Sequence, residues 1–275
     1  MRLIDLNHLG NERVIGSWLL GDVLIDPGPT TCLQTLLDGL DGQRPRVIAL
    51  THIHLDHAGA TGALLRLMPE IEVWVHERGA PHLIDPEKLL RSATRLYGED
   101  MDRLWGEVLP VPAERVRSLA GGERLDGFDV AYTPGHAYHH VSYLHADSGT
   151  AFCGDTAGVR IQPQTRVIAP TPPPDVDPPA WRESLDKIEA WRPAAIAPTH
   201  FGRYDDPAEH LRQMRASLAE LEQLARQGSE RVYVERLRER FGASPDEIAT
   251  IAYGQAMPAD QSYAGLRRYI EKSAA

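Results

Sequence analysis

The segment ALTHIHLDHAGATG, residues 49–62, places four metal-ligand-type side chains within six positions. An apolar run at residues 47–50 directly precedes them, and this order predicts a buried strand that turns into a helix. Neutral imidazole and carboxylate groups are ligands of divalent zinc, iron and manganese. The segment therefore predicts a metal-binding loop at the end of a buried strand. Its four ligand-type residues are His52, His54, Asp56 and His57.

The spacing within this segment predicts two metal ions rather than one. In an extended chain, residues two apart lie on the same side, so His52 and His54 point toward one position. Asp56 and His57 follow where the chain turns into the helix, and they face a neighbouring position. One loop does not complete two coordination spheres, so further ligands are expected elsewhere.

Later segments supply such residues at the ends of three more predicted strands. In each, an apolar run delivers a ligand-type residue beside Gly, Pro or Thr, which holds the side chain in place and keeps it accessible. Any one of them alone is better interpreted as a satisfied polar residue or a turn cap, and the dense first cluster changes that balance. They are His136 in YTPGHAYHH, Asp155 in AFCGDTAG and His200 in IAPTHFG.

The first 205 residues contain two blocks of strands with intervening helices. Gly21-Asp22 predicts a tight hairpin turn between two strands. Residues 78–107 predict helices, interpreted either as a lid or as a surface insertion without a role. Residues 163–179 contain seven prolines and predict a stiff extended loop.

From residue 206 onward, the chain predicts helices only. Apolar residues recur there with helical spacing, which indicates a helix packed on the core. The segment SPDE, residues 244–247, predicts a helix start capped by Ser244. We therefore predict an α/β layered domain over residues 1–205 and a helical C-terminal extension over residues 206–275.

The composition is that of a globular protein, with 275 residues of which 42% are hydrophobic and 25% charged. The net charge of −10 provides no basic field for nucleic acid or an anionic membrane, so a small-molecule substrate is the predicted partner. Neither a secretory signal nor an apolar stretch of about 18 residues is recognised. The isolated Cys32 and Cys153 predict no disulfide framework, and we predict a cytoplasmic location. Assembly into a homo-oligomer stays open.

The motif THIHLDHAGA resembles the H-x-H-x-D-H motif of the metallo-β-lactamase superfamily, and the TPGH, GDT and PTHFG segments follow in that family's order. The resemblance covers roughly residues 1–205 and is closest to the glyoxalase II-like branch and the lactonases. It implies a four-layer αββα sandwich, with two β-sheets face to face, helices outside and the site at one edge.

The resemblance also implies a ligand set for two divalent ions, with zinc as the expected metal and iron or manganese as alternatives. It implies that a hydroxide bridging the metals attacks the substrate, and we expect Asp56 to serve as both ligand and proton-handling group. The first ion takes His52, His54 and His136, the second takes Asp56, His57 and His200, and Asp155 bridges both.

Four further residues are predicted around the ligands. Asp26 in VLIDPG matches an acid that supports the site in the family, although a turn residue before Pro-Gly is an equal interpretation. Thr51 is expected to serve similarly. His139 replaces a glycine of the glyoxalase II pattern, and the His139-His140 pair either binds a substrate carboxylate or packs, with packing favoured. The helical tail lacks the Lys/Arg pattern that a glutathione thioester would need, which disfavours that substrate.

These features predict a dinuclear metal-dependent hydrolase acting on a small ester, thioester or lactone. The alternatives are a mononuclear iron oxidoreductase resembling persulfide dioxygenases and a phosphodiesterase. The net charge of −10 counts against a polyanionic substrate. Antibiotic hydrolysis is disfavoured because class B β-lactamases need an export signal.

Overall fold

In the computed structural model, which describes residues 1–242 and 246–274, two mixed β-sheets form the centre of the fold. The first sheet has six strands in sequence order. Its first three strands are antiparallel, and the predicted hairpin turn at Gly21-Asp22 joins the second and third. The remaining neighbours are parallel. The strands are β1 (Arg2–Asp5), β2 (Gly16–Leu20), β3 (Val23–Ile25), β4 (Val47–Ala49), β5 (Glu72–His76) and β6 (Val116–Leu119).

The second sheet has five strands in the order β11-β10-β9-β8-β7. Its neighbours are antiparallel except β10 and β11, which run parallel. This parallel pair brings two strand ends, and the residues that follow them, to the same edge of the sheet. The strands are β7 (Arg124–Leu125), β8 (Phe128–Tyr132), β9 (Val141–His145), β10 (Thr150–Phe152) and β11 (Ala195–Ala197).

Side-chain alternation along the strands produces the layers of the sandwich. Val47 and Ala49 of β4 belong to the core between the sheets, while Ile48 belongs to the core beneath the helices. Between the sheets, Phe128 packs edge-to-face on Trp74, with 6.4 Å between ring centroids. The sheets therefore bury both faces, which confirms the predicted αββα sandwich. The helices of this part are α1 (Leu33–Leu40), α2 (Leu55–Ala58), α3 (Thr61–Leu67) and α7 (Pro178–Ala190).

The predicted helical insertion at residues 78–107 contains three short helices. Pro86 separates the first two, since a proline is tolerated at a helix start but not within a helix. Trp105 is buried with Leu55 and Ala93, and this contact packs the insertion on α2. The helices are α4 (Ala80–Ile84), α5 (Glu87–Tyr97) and α6 (Met101–Leu104).

The tail is helical, as predicted, in all of its described part. Its long first helix buries the apolar face that begins at Leu211 in the same core as Ile196 of β11. Ser244 lies outside the described residues; the helix that follows starts after Asp246, whose side chain accepts a hydrogen bond from the Ala249 N–H. The domain boundary at residue 205 stays a prediction. The helices are α8 (Pro207–Gln227), α9 (Glu230–Phe241), α10 (Glu247–Ala256) and α11 (Ala259–Ser273).

The last helix packs closely against the proline-rich segment. Thr171 donates a hydrogen bond to the Ser262 carbonyl, with 2.9 Å between oxygens. A Cβ at Gly265 would lie 2.0 Å from the Thr171 carbonyl oxygen, so only glycine permits this approach. The tail is thereby held beside the loop that carries residues 170–172 to the candidate site.

Candidate metal centre

The candidate site lies where strands of both sheets end. The chain leaves β4 at Ala49, passes through His52 and enters the four-residue helix α2, which carries Asp56 and His57. Asp155 follows β10, and His200 lies three residues beyond the end of β11. Because neighbouring parallel strands end at the same edge, these loops converge.

The first donor group contains His52, His54 and His136. One ring nitrogen from each lies within 4.8 Å of the others. The Nε2 atom of His136 is 3.0 Å from Nδ1 of His54. These are the three residues predicted for the first ion.

The second donor group contains Asp56, His57 and His200, whose ligand atoms also lie within 4.8 Å of one another. Oδ2 of Asp56 is 3.3 Å from Nε2 of His200 and 3.7 Å from Nε2 of His57. These are the three residues predicted for the second ion.

Asp155 lies between the two groups, with one carboxylate oxygen toward each. Its Oδ2 is 3.2 Å from Nε2 of His136 in the first group. Its Oδ1 is 3.3 Å from Nε2 of His57 and 3.5 Å from Nε2 of His200 in the second. The structure thus brings all seven predicted ligand residues into one cluster.

Several atoms of this cluster are buried without a hydrogen-bond partner. They include the Nε2 atoms of His52, His57 and His200 and the Oδ1 atom of Asp155. A buried polar atom without a partner costs about 1–3 kcal/mol, so a set of them converging on one place indicates a missing ligand. A donor set of five histidines and two aspartates suits zinc, iron or manganese. The residues present therefore fit divalent metal ions.

Burial keeps the first donor group neutral. It lowers the pKa of His136, lowers that of His54 to about 3, and holds that of His52 well below its usual range. A neutral imidazole offers the lone pair that a metal needs. The first group is thus in its metal-binding form without any loss of protons.

The negative charges of two carboxylates determine the direction of the pKa shifts in the second donor group. Burial alone would lower the pKa of His57 and His200, but the negative charges of Asp155 and Asp56 outweigh burial and raise both. The same attraction, chiefly from the His57 imidazole, outweighs the effect of burial on Asp56 and holds the pKa of its carboxyl well below the usual range. Asp56 is therefore an anion throughout the neutral pH range.

Asp26 supports the second group from behind. The residue has a positive φ of 50° and is fully buried. Its Oδ2 lies 2.8 Å from Nδ1 of His57, so the ring donates its proton backward and directs Nε2 toward the cluster. Thr51 donates to Asp26 through both its backbone N–H and its hydroxyl, at 2.8 and 2.7 Å.

Thr199 makes a matching contact that the sequence reasoning missed. Its hydroxyl donates to Oδ2 of Asp26 at 2.7 Å, as the Thr51 hydroxyl does. The sequence carries a signal for this contact, because the dipeptide Thr-His follows both strands, as Thr51-His52 and as Thr199-His200. One buried carboxylate thus links the loops that carry His52 and His200.

Backbone carbonyls orient two of the other rings. Nδ1 of His136 donates to the Pro170 carbonyl at 2.9 Å, and Nδ1 of His200 donates to the Val14 carbonyl at 2.6 Å. In each case Nε2 is left to face the cluster. The proline-rich segment therefore has a place in the site.

The His139-His140 pair is divided between two environments. His140 is fully buried, and its Nδ1 is 3.0 Å from the Thr133 hydroxyl and 3.2 Å from the Thr156 hydroxyl. The His139 ring lies 5.8 Å from the His54 ring and lines an open cleft. His140 therefore packs behind the cluster, and His139 borders the space in front of it.

That cleft has two lobes, which share His54, Leu96, Tyr97 and Pro172. The lobe that we call the metal lobe, of about 460 Å³, includes Asp56 and Asp155. Its walls come from both helical regions, with Trp105 and Asp100 from the insertion and Gln255 and Ser262 from the tail.

The second lobe, of about 480 Å³, extends along α5 and carries several positive charges. We call it the cationic lobe. Its charged and polar residues include Lys88, Arg95, Arg268, His82, His139 and Asp175.

Tyr97 stands between the lobes and was not predicted as a site residue. Burial, together with the negative charges of Asp56 and Asp155, raises the pKa of its phenol far above the neutral range. The hydroxyl is therefore protonated and able to donate a hydrogen bond. Its place within the predicted helical insertion at residues 78–107 gave no signal of this role.

Two sandwiched sheets with a histidine and aspartate cluster at one edge define a class of metalloprotein. The family model described as the metallo-beta-lactamase superfamily matches residues 16–200. The chain belongs to this superfamily.

Among its relatives, the metallo-beta-lactamase fold-containing protein ST1585 of Sulfurisphaera tokodaii is 32% identical over 203 residues, 70% of this chain and 74% of ST1585. The solved structure of ST1585 from Sulfolobus tokodaii has a TM-score of 0.68 at 23% identity and covers 97% of each chain. A structure of TTHA1623 in a di-iron-bound form has a TM-score of 0.54 at 27% identity, covering 73% of this chain and 93% of TTHA1623.

A hydroxyacylglutathione hydrolase of Aeromonas hydrophila is 29% identical over 138 residues. The match covers 49% of this chain and spans only 41% of that enzyme.

Among the described helices, none combines the length and the apolar character that a membrane span requires.

Proposed function

We propose that this protein is a dinuclear metal-dependent hydrolase that cleaves a small ester, thioester or lactone. The observation that carries the proposal is the position of Asp155, with one oxygen toward His136 and the other toward His57 and His200. A carboxylate placed in this way links two three-residue donor groups. A mononuclear site would leave the second group without a role.

Two ions in this site would lower the pKa of water and polarise a substrate oxygen. We propose zinc; the di-iron-bound form of TTHA1623 supports iron as the alternative, and the donor set also suits manganese. His52, His54 and His136 would hold the first ion, while Asp56, His57 and His200 would hold the second, with Asp155 shared.

Two residues of the chain then act on protons. Asp56 is an anion whose side chain is 20% exposed, so it can accept a hydrogen bond from an attacking water and orient it. Tyr97 keeps its proton and faces the same space, so it can donate a hydrogen bond to the substrate oxygen or leaving group. Asp26 fixes the orientation of His57 and takes no part in proton transfer.

The size of the metal lobe supports a small substrate, because 460 Å³ accommodates a compact molecule and no polymer. Relatives named hydroxyacylglutathione hydrolase support a thioester, but the matches span only 41% and 53% of the length of two of them. Esters, thioesters and lactones are all cleaved by attack of water on an acyl carbonyl, so the same donor groups suit all three.

Metal quantification on the purified protein, followed by assays with thioesters, lactones and phosphodiesters, tests the proposal. We expect about two metal ions per chain and hydrolysis of at least one carbonyl substrate. Asp155→Ala is expected to reduce metal content to one ion or none and to lower kcat at least about 100-fold. Two ions and full activity in that variant would exclude the bridging role, and one iron per chain in the unaltered protein would favour the oxidoreductase.

A further inference from the structure

The cationic lobe owes its character to one face of α5. Lys88, Ser92 and Arg95 are four and three residues apart, so they lie on the same side of the helix. Leu89 and Leu96, one position further along, form an apolar floor beneath them. The lobe therefore has an apolar base and a positively charged rim.

These cations form no ion pair among residues 1–242 and 246–274, although Arg268 interacts electrostatically with Asp175 of the same lobe. None of Lys88, Arg95 and Arg268 lies within ion-pair distance of a described carboxylate, although all three line the same lobe. Arg91 of the same helix, which does not line the lobe, does pair with Glu87. On α5, the two cations that line the lobe, Lys88 and Arg95, are thus the ones without an ion pair, and Arg268 of α11 lines the same lobe.

The net negative charge of the chain makes cations without an ion pair less expected. The chain has 29 basic and 39 acidic residues, so acids are available to neutralise most exposed bases. Among residues 1–242 and 246–274, Asp175 is the one carboxylate that lines the cationic lobe, against three cations. A positively charged recess in a protein of net charge −10 attracts anions locally and concentrates them beside the candidate metal centre.

We propose that the cationic lobe binds an anionic group of the substrate, a carboxylate or a phosphate, joined to the scissile carbonyl by a short apolar chain. The carbonyl would lie in the metal lobe, and the chain would pass His54 and Tyr97, which border both lobes. The apolar floor of α5 would cover the connecting chain. This inference rests on the proposed function and names the substrate class for it.

Matched pairs of substrates test the inference on the metal-loaded protein. A hexanoyl thioester and an adipoyl monothioester have the same chain length and differ in a terminal carboxylate. A second pair carries the carboxylate on the thiol side instead. In at least one pair, we expect the anionic member to show about 10-fold higher kcat/KM at low salt, with the advantage shrinking at high salt. Equal values in both pairs would overturn the inference.

Variants of α5 locate the effect. The double variant Lys88→Gln/Arg95→Gln is expected to lose about 10-fold in kcat/KM for the anionic substrate and to keep its activity on the neutral one. Arg91→Gln, which removes a cation from the same helix outside the lobe, is the matched control and is expected to change neither. An equal loss in the control and the double variant would assign the effect to overall charge.

Binding without turnover separates this inference from the proposed function. Calorimetry with adipate and with hexyl phosphate measures the anion site directly, and comparing the two ligands distinguishes carboxylate from phosphate. If no carbonyl substrate is hydrolysed but the anions bind the unaltered protein and not the double variant, the proposed function is wrong and the anion site stands. Equal binding to both proteins would contradict the anion site.

Discussion

At the residue scale, the most informative side chain is Asp26, which touches no metal position itself. Its carboxylate accepts four hydrogen bonds, from the Thr51 backbone, the Thr51 and Thr199 hydroxyls and the His57 ring. A buried acid shared in this way fixes two loops and one ring together. It makes the second donor group rigid before any ion arrives.

Asp26→Asn tests this role. Asparagine tolerates the positive φ of 50°, so the backbone is not strained, but its amide group cannot accept all four hydrogen bonds. We expect the affinity of the second metal ion to fall about 10- to 100-fold, measured by competition with a chelator of known affinity. Asp38→Asn, on the helix α1, is the control. An unchanged affinity would mean that His57 needs no support from Asp26.

Asp175 gives a prediction on pH. Burial raises the pKa of this carboxyl to about 6, and the nearby Lys272 and Arg268 offset burial only in part. The folded protein therefore binds the proton more tightly than the unfolded chain does, whose pKa is near 3.8. Stability contributed by the protonated form is present at low pH and is lost as the pH rises through about 6.

Asp175→Asn is expected to remove this pH-dependent loss of folding stability. We expect the free energy of unfolding of the variant to exceed that of the unaltered protein, by a margin that grows by roughly 1 kcal/mol between about pH 5 and pH 7. Urea unfolding at the two pH values measures the margin. A constant difference would show that the carboxyl does not titrate in this range.

At the element scale, helices that cross the sheet edge shape the cleft. Helix α5 of the insertion forms the floor of one lobe, and the junction of α10 and α11 forms a wall of the other. Gly265 allows α11 to approach the Thr171 carbonyl, next to Pro170 and its contact with His136. The position of one tail helix is thereby connected to a ligand ring.

Gly265→Ala tests the close approach. The added methyl group would meet backbone atoms that cannot rotate away, so we expect the free energy of unfolding to fall by about 2 kcal/mol. Gly254→Ala in α10 is the matched control, because nothing lies within 4 Å of its Cβ position, and it is expected to be neutral or stabilising by up to about 1 kcal/mol. Chemical unfolding of both variants gives the comparison, and equal effects would contradict the packing argument.

Local sequence patterns predict the metal-ligand candidates but not the helix residues that line the cleft. Each ligand follows an apolar strand, as His200 follows β11, and this local order is readable from the sequence. The same strand periodicity predicts two sheets and hence the sandwich. Tyr97 and Ser262 are different, because their places in the cleft depend on how helices fold back across the sheet edge. Periodicity fixes which face of a helix is buried but not which part of the molecule it covers.

At the scale of the whole molecule, the metal centre joins both sheets. Its candidate ligands follow β4 of the first sheet and β8, β10 and β11 of the second. Without ions, the site contains unpartnered donors and the closely spaced carboxylates of Asp56 and Asp155. Ions bound at this place would therefore stabilise the sandwich as well as supply the proposed chemistry.

Chelation of the metals is expected to lower the melting temperature by about 10 °C, as loss of a ligand at about 1,000 times its Kd removes roughly 4 kcal/mol. Differential scanning calorimetry before and after chelation measures the change, and added metal should restore the original value. Asp155→Ala is expected to show a smaller shift. A melting temperature that stays constant through verified metal loss would show that the ions add nothing to stability.

The wall at residues 254–262 has a consequence for the order of biosynthesis. All seven candidate ligands lie between His52 and His200, so they are synthesised before that wall. At about 5–20 residues per second, residue 262 is added about 3–12 seconds after His200. During that interval the nascent chain already has every metal-ligating group while one side of its cleft has yet to be translated. If two ions bind as proposed, every residue that would hold them is thus synthesised before the tail residues that would border a substrate.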